Sequence, residues 1–148
     1  MKLIFRILLF VFLLSACRSS NLVGTWEIEE LIIKLNSQNN TNDTTIISAN
    51  RGNWETKMVS RNIQTSYSSD GKYHSLHRNL KDSITYDPHG YYQVKGDSLY
   101  ITDTFPKRNT YEFRMKLNKN HVEYWGLADF VGDGKVDDEY YSKQVKIK

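Results

Sequence analysis

A single cysteine among 148 residues excludes an internal disulfide, so the fold has to rest on its own apolar core. Neither sign of charge is in marked excess: 20 Lys and Arg face 17 Asp and Glu. The basic residues are scattered among the acidic ones, without the dense stripe that phosphate neutralisation needs, and this argues against a nucleic-acid partner. Beyond residue 16 no long apolar stripe recurs at the helical period of 3.6 residues, which disfavours a helical domain. Catalytic signatures are missing as well. There is no Gly-x-Ser-x-Gly elbow, no His-Glu-x-x-His helix and no phosphate-cradling glycine loop. Neither enzymatic activity nor a cofactor is expected.

What is present begins with a basic start, Met1 to Arg6, and an uninterrupted apolar run from Ile7 to Leu14. Eight apolar residues are too few for a membrane-spanning helix, which takes about 20, and the run is apolar on every face, unlike an amphipathic core helix. The layout is that of an export signal. Its end, Leu14-Ser15-Ala16-Cys17, resembles the lipobox of bacterial lipoproteins at all four positions. The resemblance implies that Cys17 becomes the first residue, with a diacylglycerol on its thiol and a further acyl chain on its amino group. Two or more chains make attachment to a membrane effectively permanent. An ordinary signal followed by a free thiol is the alternative, and an unpaired thiol is a liability in an oxidising compartment. On the lipoprotein reading, residues 1–16 are the signal peptide, 17–21 the lipidated Cys and a polar tether, and 22–148 the domain. Losing Lys2 and Arg6 with the signal leaves 18 basic against 17 acidic side chains. No acidic run follows Cys17, as would be expected if the chain resembled surface-exported lipoproteins. The expected address is therefore the cell envelope, lipid-anchored in the outer membrane and facing the periplasm.

The domain reads as strands. Trp26 and Ile28 alternate in phase, then Leu31, Ile33 and Leu35 continue one residue out of step, which places a β-bulge or bend at Glu29-Glu30. A helix over 26–35 is the competing reading. Residues 36–45 contain no apolar side chain and read as a mobile loop. From 54 onward strands alternate with turns. Ile63, Thr65 and Tyr67 lead through Ser68-Ser69-Asp70-Gly71 to Lys72–Leu76. Tyr91–Val94 lead through Lys95-Gly96-Asp97 to Ser98–Thr102. Tyr111, Phe113, Met115 and Leu117 lead through Asn118-Lys119-Asn120 to His121–Trp125. Gly132-Asp133-Gly134 then reverses the chain before a closing segment with Tyr141, Val145 and Ile147 on one face. Seven to nine short strands in meander order predict an all-β, antiparallel domain closed into a barrel or folded as a sandwich, since a flat sheet would leave adhesive edges.

Gly24-Thr25-Trp26 at the start of the first strand, together with the hairpin Gly90-Tyr91-Tyr92-Gln93-Val94-Lys95-Gly96-Asp97-Ser98-Leu99, resembles the lipocalin-like lipoprotein domains of Bacteroidetes-type bacteria. The resemblance covers residues 22–147 and implies an up-and-down antiparallel barrel. In lipocalins the tryptophan closes one barrel end beneath a basic residue from the last strand, often arginine. Gly24 and Trp26 would be that closing motif. No Arg follows residue 114, so Lys143 or Lys146 would have to stand in. The resemblance further implies an interior able to hold a small apolar or amphipathic molecule. The alternative is an envelope module with a solid core that engages a protein partner.

No metal site is expected. His74 and His77, three apart on a strand, point to opposite faces and cannot chelate one ion. With His89 and His121 they read as surface or turn residues. The stretch 129–140 imitates a calcium loop but carries Val131 and Tyr140 where oxygen ligands belong. Glu27 and Glu29 share a strand face that alternates with Trp26 and Ile28 and so points to solvent. Ten Tyr and three Trp suit either ordinary cross-strand packing or a ligand cage.

Overall fold

The computed structural model describes residues 21–36 and 44–148. The segment read as an export signal, the lipobox candidates Leu14, Ser15 and Ala16, the acylation candidate Cys17 and part of the stretch read as a polar loop lie outside the described residues. In chain order the elements are β1 (Gly24–Asn36), β2 (Thr44–Asn50), α1 (Trp54–Met58), β3 (Gln64–Tyr67), β4 (Lys72–Arg78), β5 (Ile84–Tyr86), β6 (His89–Lys95), β7 (Ser98–Phe105), β8 (Asn109–Leu117), β9 (His121–Ala128) and β10 (Asp138–Lys146). All pairings are antiparallel, and eight strands close into one up-and-down barrel in the order β1-β3-β4-β6-β7-β8-β9-β10, with β10 returning to β1.

The first strand organises the closure. One edge of β1 pairs with β10 from Trp26↔Lys146 to Lys34↔Glu139, while its other edge pairs with β3 at Gly24–Glu27 and with β2 at Glu30–Asn36. The expected irregularity is a β-bulge. Ile28 faces Gln144 and Glu30 faces Lys143, so Glu29 is the extra residue. Trp26 and Ile28 before it, and Leu31 after it, are all buried. A bulge bends its strand and restores the apolar face to the interior, as a wall that must curve around a core requires.

Two expectations need correction. Residues from 54 onward do not start as strand: Trp54–Met58 is a short helix. Trp54 and Met58 fall on one face at i, i+4 and pack with Ile28, Leu31 and Ala49, and the segment is too short to display a helical period in the sequence. Ten strands occur among the described residues rather than seven to nine, because β2 begins inside the stretch read as loop and β5, three exposed residues, has no buried face to signal it. On β10 Tyr141, Val145 and Ile147 share one face as read, and it is the outer one, since the interior face carries Tyr140, Ser142 and Gln144. There Tyr141 lies between Ile32 of β1 and Trp125 of β9, a cross-strand apolar ladder on the outside of the barrel. The three hairpins β3–β4, β6–β7 and β8–β9 form as the sequence reading placed them.

Candidate functional site

One end of the barrel is shut. Trp26 is fully buried, its indole N–H donates to the Leu22 carbonyl at 2.7 Å, and the Lys146 ammonium lies 5.4 Å from its ring centroid. The same ammonium donates to the Val23 carbonyl at 2.6 Å. Lys146 is therefore the basic residue above the tryptophan, and Lys143 turns outward towards Glu29, at 3.6 Å. Gly24 makes this closure possible. It sits at φ +135°, and a Cβ there would lie 2.4 Å from the Lys148 carbonyl oxygen.

Above this plug lies a cavity of about 350 Å³, lined by inward residues of the barrel strands and roofed by Tyr86, Pro88 and Phe130. Tyrosine dominates the lining: Tyr67, Tyr73, Tyr111, Tyr124 and Tyr140 come from five strands, with Leu99, Ile101 and Phe113 between them. Tryptophan, weighed as a lining residue from composition, does not line this cavity. Burial pushes the hydroxyls of Tyr67, Tyr73, Tyr124 and Tyr140 above the usual phenol range, so they remain protonated donors. The lumen is not purely apolar. Asp103 and Gln144, both buried, line it, and the Tyr73 hydroxyl donates to Asp103. His77 lines it too, with its pKa lowered by burial, contrary to its reading as a surface residue. The buried Gln144 Oε1 has no hydrogen-bond partner among the described residues, whereas the Tyr124 and Ser142 hydroxyls lie against those of Tyr67 and Tyr140. Leaving such an atom unmatched costs about 1–3 kcal/mol.

No protein-family model and no curated protein matches this chain. The chemistry of the site is therefore read from its own atoms.

Burial raises the pKa of Asp103, against the lowering effects of the Tyr73 hydroxyl and nearby His89. A carboxyl whose folded pKa lies above its unfolded value contributes stability that is complete below the ordinary carboxylate range and is lost as pH rises through the folded value. Asp103→Asn should remove this component. The stability of the wild type relative to Asp103→Asn is expected to decline as pH rises from the acid side to neutrality, measured by urea denaturation at a series of pH values. A pH-independent difference would show that the carboxyl ionises as freely in the barrel as in the unfolded chain.

The remaining candidates fall outside the lumen. Glu27 and Glu29 are on the outer wall as expected, where Arg51 lies 2.9 Å from Glu27 and 3.7 Å from Glu29. In the stretch resembling a calcium loop, Asp129 and Asp138 are turned to backbone N–H groups. Asp129 accepts the N–H groups of Gly132, Asp133 and Gly134, and Asp138 accepts those of Asn36, Phe130 and Val131. Oxygens surrounded by N–H donors are set to receive hydrogen bonds, not a cation. Among the described residues no helix is long and apolar enough to cross a membrane.

Proposed function

We propose that this chain is a lipid-anchored, lipocalin-like lipoprotein of the cell envelope, in the outer membrane and facing the periplasm, whose barrel binds a small amphipathic molecule without catalysis. The observation that carries the binding half is the lumen: about 350 Å³ of tyrosine- and aliphatic-lined space into which the buried, unpartnered Gln144 Oε1 and the buried Asp103 are set. That volume is at the lower end of the range for small-molecule pockets, about 300–1,000 Å³, and the mix of apolar wall with a few convergent polar groups is typical of them. Gln144 Oε1 and the Asp103 carboxyl favour a ligand that offers a hydrogen-bond donor on an otherwise apolar body. The Trp26–Lys146 plug supports the likeness to lipocalins, and the lipobox ending at Cys17 supports the anchor.

Displacement fluorescence tests the reading. N-phenylnaphthylamine should bind the wild type saturably, and Ile101→Trp, which adds an indole to the lumen wall between the cross-strand neighbours Tyr92 and Tyr111, should weaken binding by about tenfold or more with an unchanged circular dichroism spectrum. Equal affinity in the two proteins removes the lumen as the binding site. Fractionation of the producing cells checks the anchor: the wild type should sediment with membranes and Cys17→Ser should not.

A further inference from the structure

A second constellation lies on the outer wall, at the seam where β4 meets β6. His74 and His89 are direct partners across this antiparallel ladder, which sets their Cβ atoms about 4.5–5.5 Å apart on one face. Their rings meet edge-on with centroids 5.7 Å apart. Asp87, two residues before His89, brings Oδ2 to 3.9 Å from His74 Nε2. One ligand atom from each of the three side chains lies within 4.8 Å of the other two.

The orientation of His89 is fixed from two directions. Its ring stacks on Phe105 with centroids 5.0 Å apart and planes 15° from parallel. Its Nδ1 lies 3.0 Å from the Asp87 carbonyl oxygen. A carbonyl only accepts, so Nδ1 carries the proton and Nε2 keeps the lone pair. An imidazole held by one nitrogen on a backbone carbonyl, with the other free, has the arrangement common to metal-binding histidines. The bulge at the start of β6 depends on Gly90, where a Cβ would stand 2.0 Å from the Thr102 carbonyl oxygen.

We propose that His74, Asp87 and His89 form a binding site for a divalent transition metal of the Zn²⁺ type, with three protein ligands and one position open to water. Two imidazoles and one carboxylate suit such ions, whereas Ca²⁺ and Mg²⁺ take oxygen ligands almost exclusively. Bonds of about 2.0–2.2 Å around a tetrahedral ion place its ligand atoms about 3.3–3.6 Å apart. The three ligand atoms, within 4.8 Å of one another, would have to close to that spacing by side-chain rotation on a backbone already set by the ladder. All three residues are half-buried, which leaves an approach from solvent. Lys72 lines the same cleft, but its ammonium is drawn 2.7 Å from Asp70. Tyr86 and Pro88 line the lumen, while Asp87 and His89, between and after them, line a separate cleft with His74.

The detergent-solubilised full chain, stripped with a chelator, tests this by calorimetric titration with Zn²⁺ and by visible absorption with Co²⁺. One Zn²⁺ per chain is expected, with affinity reduced about tenfold or more in His74→Ala and in His89→Ala, equivalent to about 1.4 kcal/mol or more. The Co²⁺ spectrum should show the intense bands of four-coordination and lose them in the same variants. His121→Ala and Cys17→Ser should leave the stoichiometry unchanged. If either histidine variant fails to fold, Asp87→Asn carries the same comparison. Absence of saturable Zn²⁺ binding, or binding that survives in the His74→Ala/His89→Ala double variant, overturns the proposal.

Discussion

Trp26→Ala is expected to lower the free energy of unfolding by about 3–5 kcal/mol, the range for truncating a fully buried aromatic. The side chain has no exposed surface and packs in the cluster with Leu22, Tyr67, Val122 and Tyr124. Alanine would leave a void the size of an indole at the closed end, and the Leu22 carbonyl would lose its 2.7 Å donor. The contribution of the cation above the ring is separable. Lys146→Met keeps most of the aliphatic stem and removes the ammonium, forfeiting a cation–π contact worth about 0.5–2 kcal/mol together with the bond to Val23. Urea denaturation followed by far-UV circular dichroism should therefore rank wild type, Lys146→Met and Trp26→Ala in falling order of midpoint, with similar slopes. A loss below about 1 kcal/mol for Trp26→Ala would mean that the indole is not what shuts the barrel.

The second large effect falls at the opposite end. Asp138 is completely buried, and its carboxylate gathers three backbone N–H groups: Asn36 at 2.8 Å, Phe130 at 2.7 Å and Val131 at 3.2 Å. One side chain thus ties the end of β1, the start of β10 and the loop that carries Phe130 over the cavity. Asp138→Ala removes all three bonds at once and leaves the donors without an acceptor. Bonds to a charged group contribute about 1.5–3 kcal/mol each, and partial rehydration of the loop offsets some of the loss, so a net cost of about 3 kcal/mol or more is expected. Asp138→Asn should lie between, since it keeps one acceptor oxygen but points an amide N–H at a donor. Equilibrium unfolding of the two variants measures this, and equal stability of Asp138→Ala and wild type would remove the staple from the account.

The hairpins were legible because alternation and turn chemistry agree within a few residues, as in Tyr111 to Leu117 followed by Asn118-Lys119-Asn120. The bulge at Glu29 was legible for the same reason, as a change of phase in an otherwise regular pattern. What escaped depends on pairings between distant segments. The choice of Lys146 over Lys143 follows from the register Trp26↔Lys146, which puts directly opposed residues on one face and which no local pattern reveals. The orientation of β10 escaped because its apolar residues form an outer ladder while its polar residues face a tyrosine-rich lumen, reversing the usual inference from hydrophobicity. Asp103 could have been read: it shares parity with Leu99 and Ile101 on β7, and a carboxylate in phase with apolar neighbours is a buried polar candidate. The trio His74, Asp87 and His89 could not, because β5 intervenes and the β4–β6 register decides which histidine meets which.

The seam between β1 and β10 also bears on how the molecule is made. Lys146 and Val23, joined by a hydrogen bond, are 123 residues apart. A chain delivered amino-terminus first, whether from a ribosome or through a secretion pore, holds β1 with one edge vacant until nearly its whole length has emerged. Such non-local closure is slow because the loop entropy has to be met before the final contacts form. Late closure keeps the polypeptide threadable during delivery, and it exposes the vacant edge of β1 to stray pairing over the same interval.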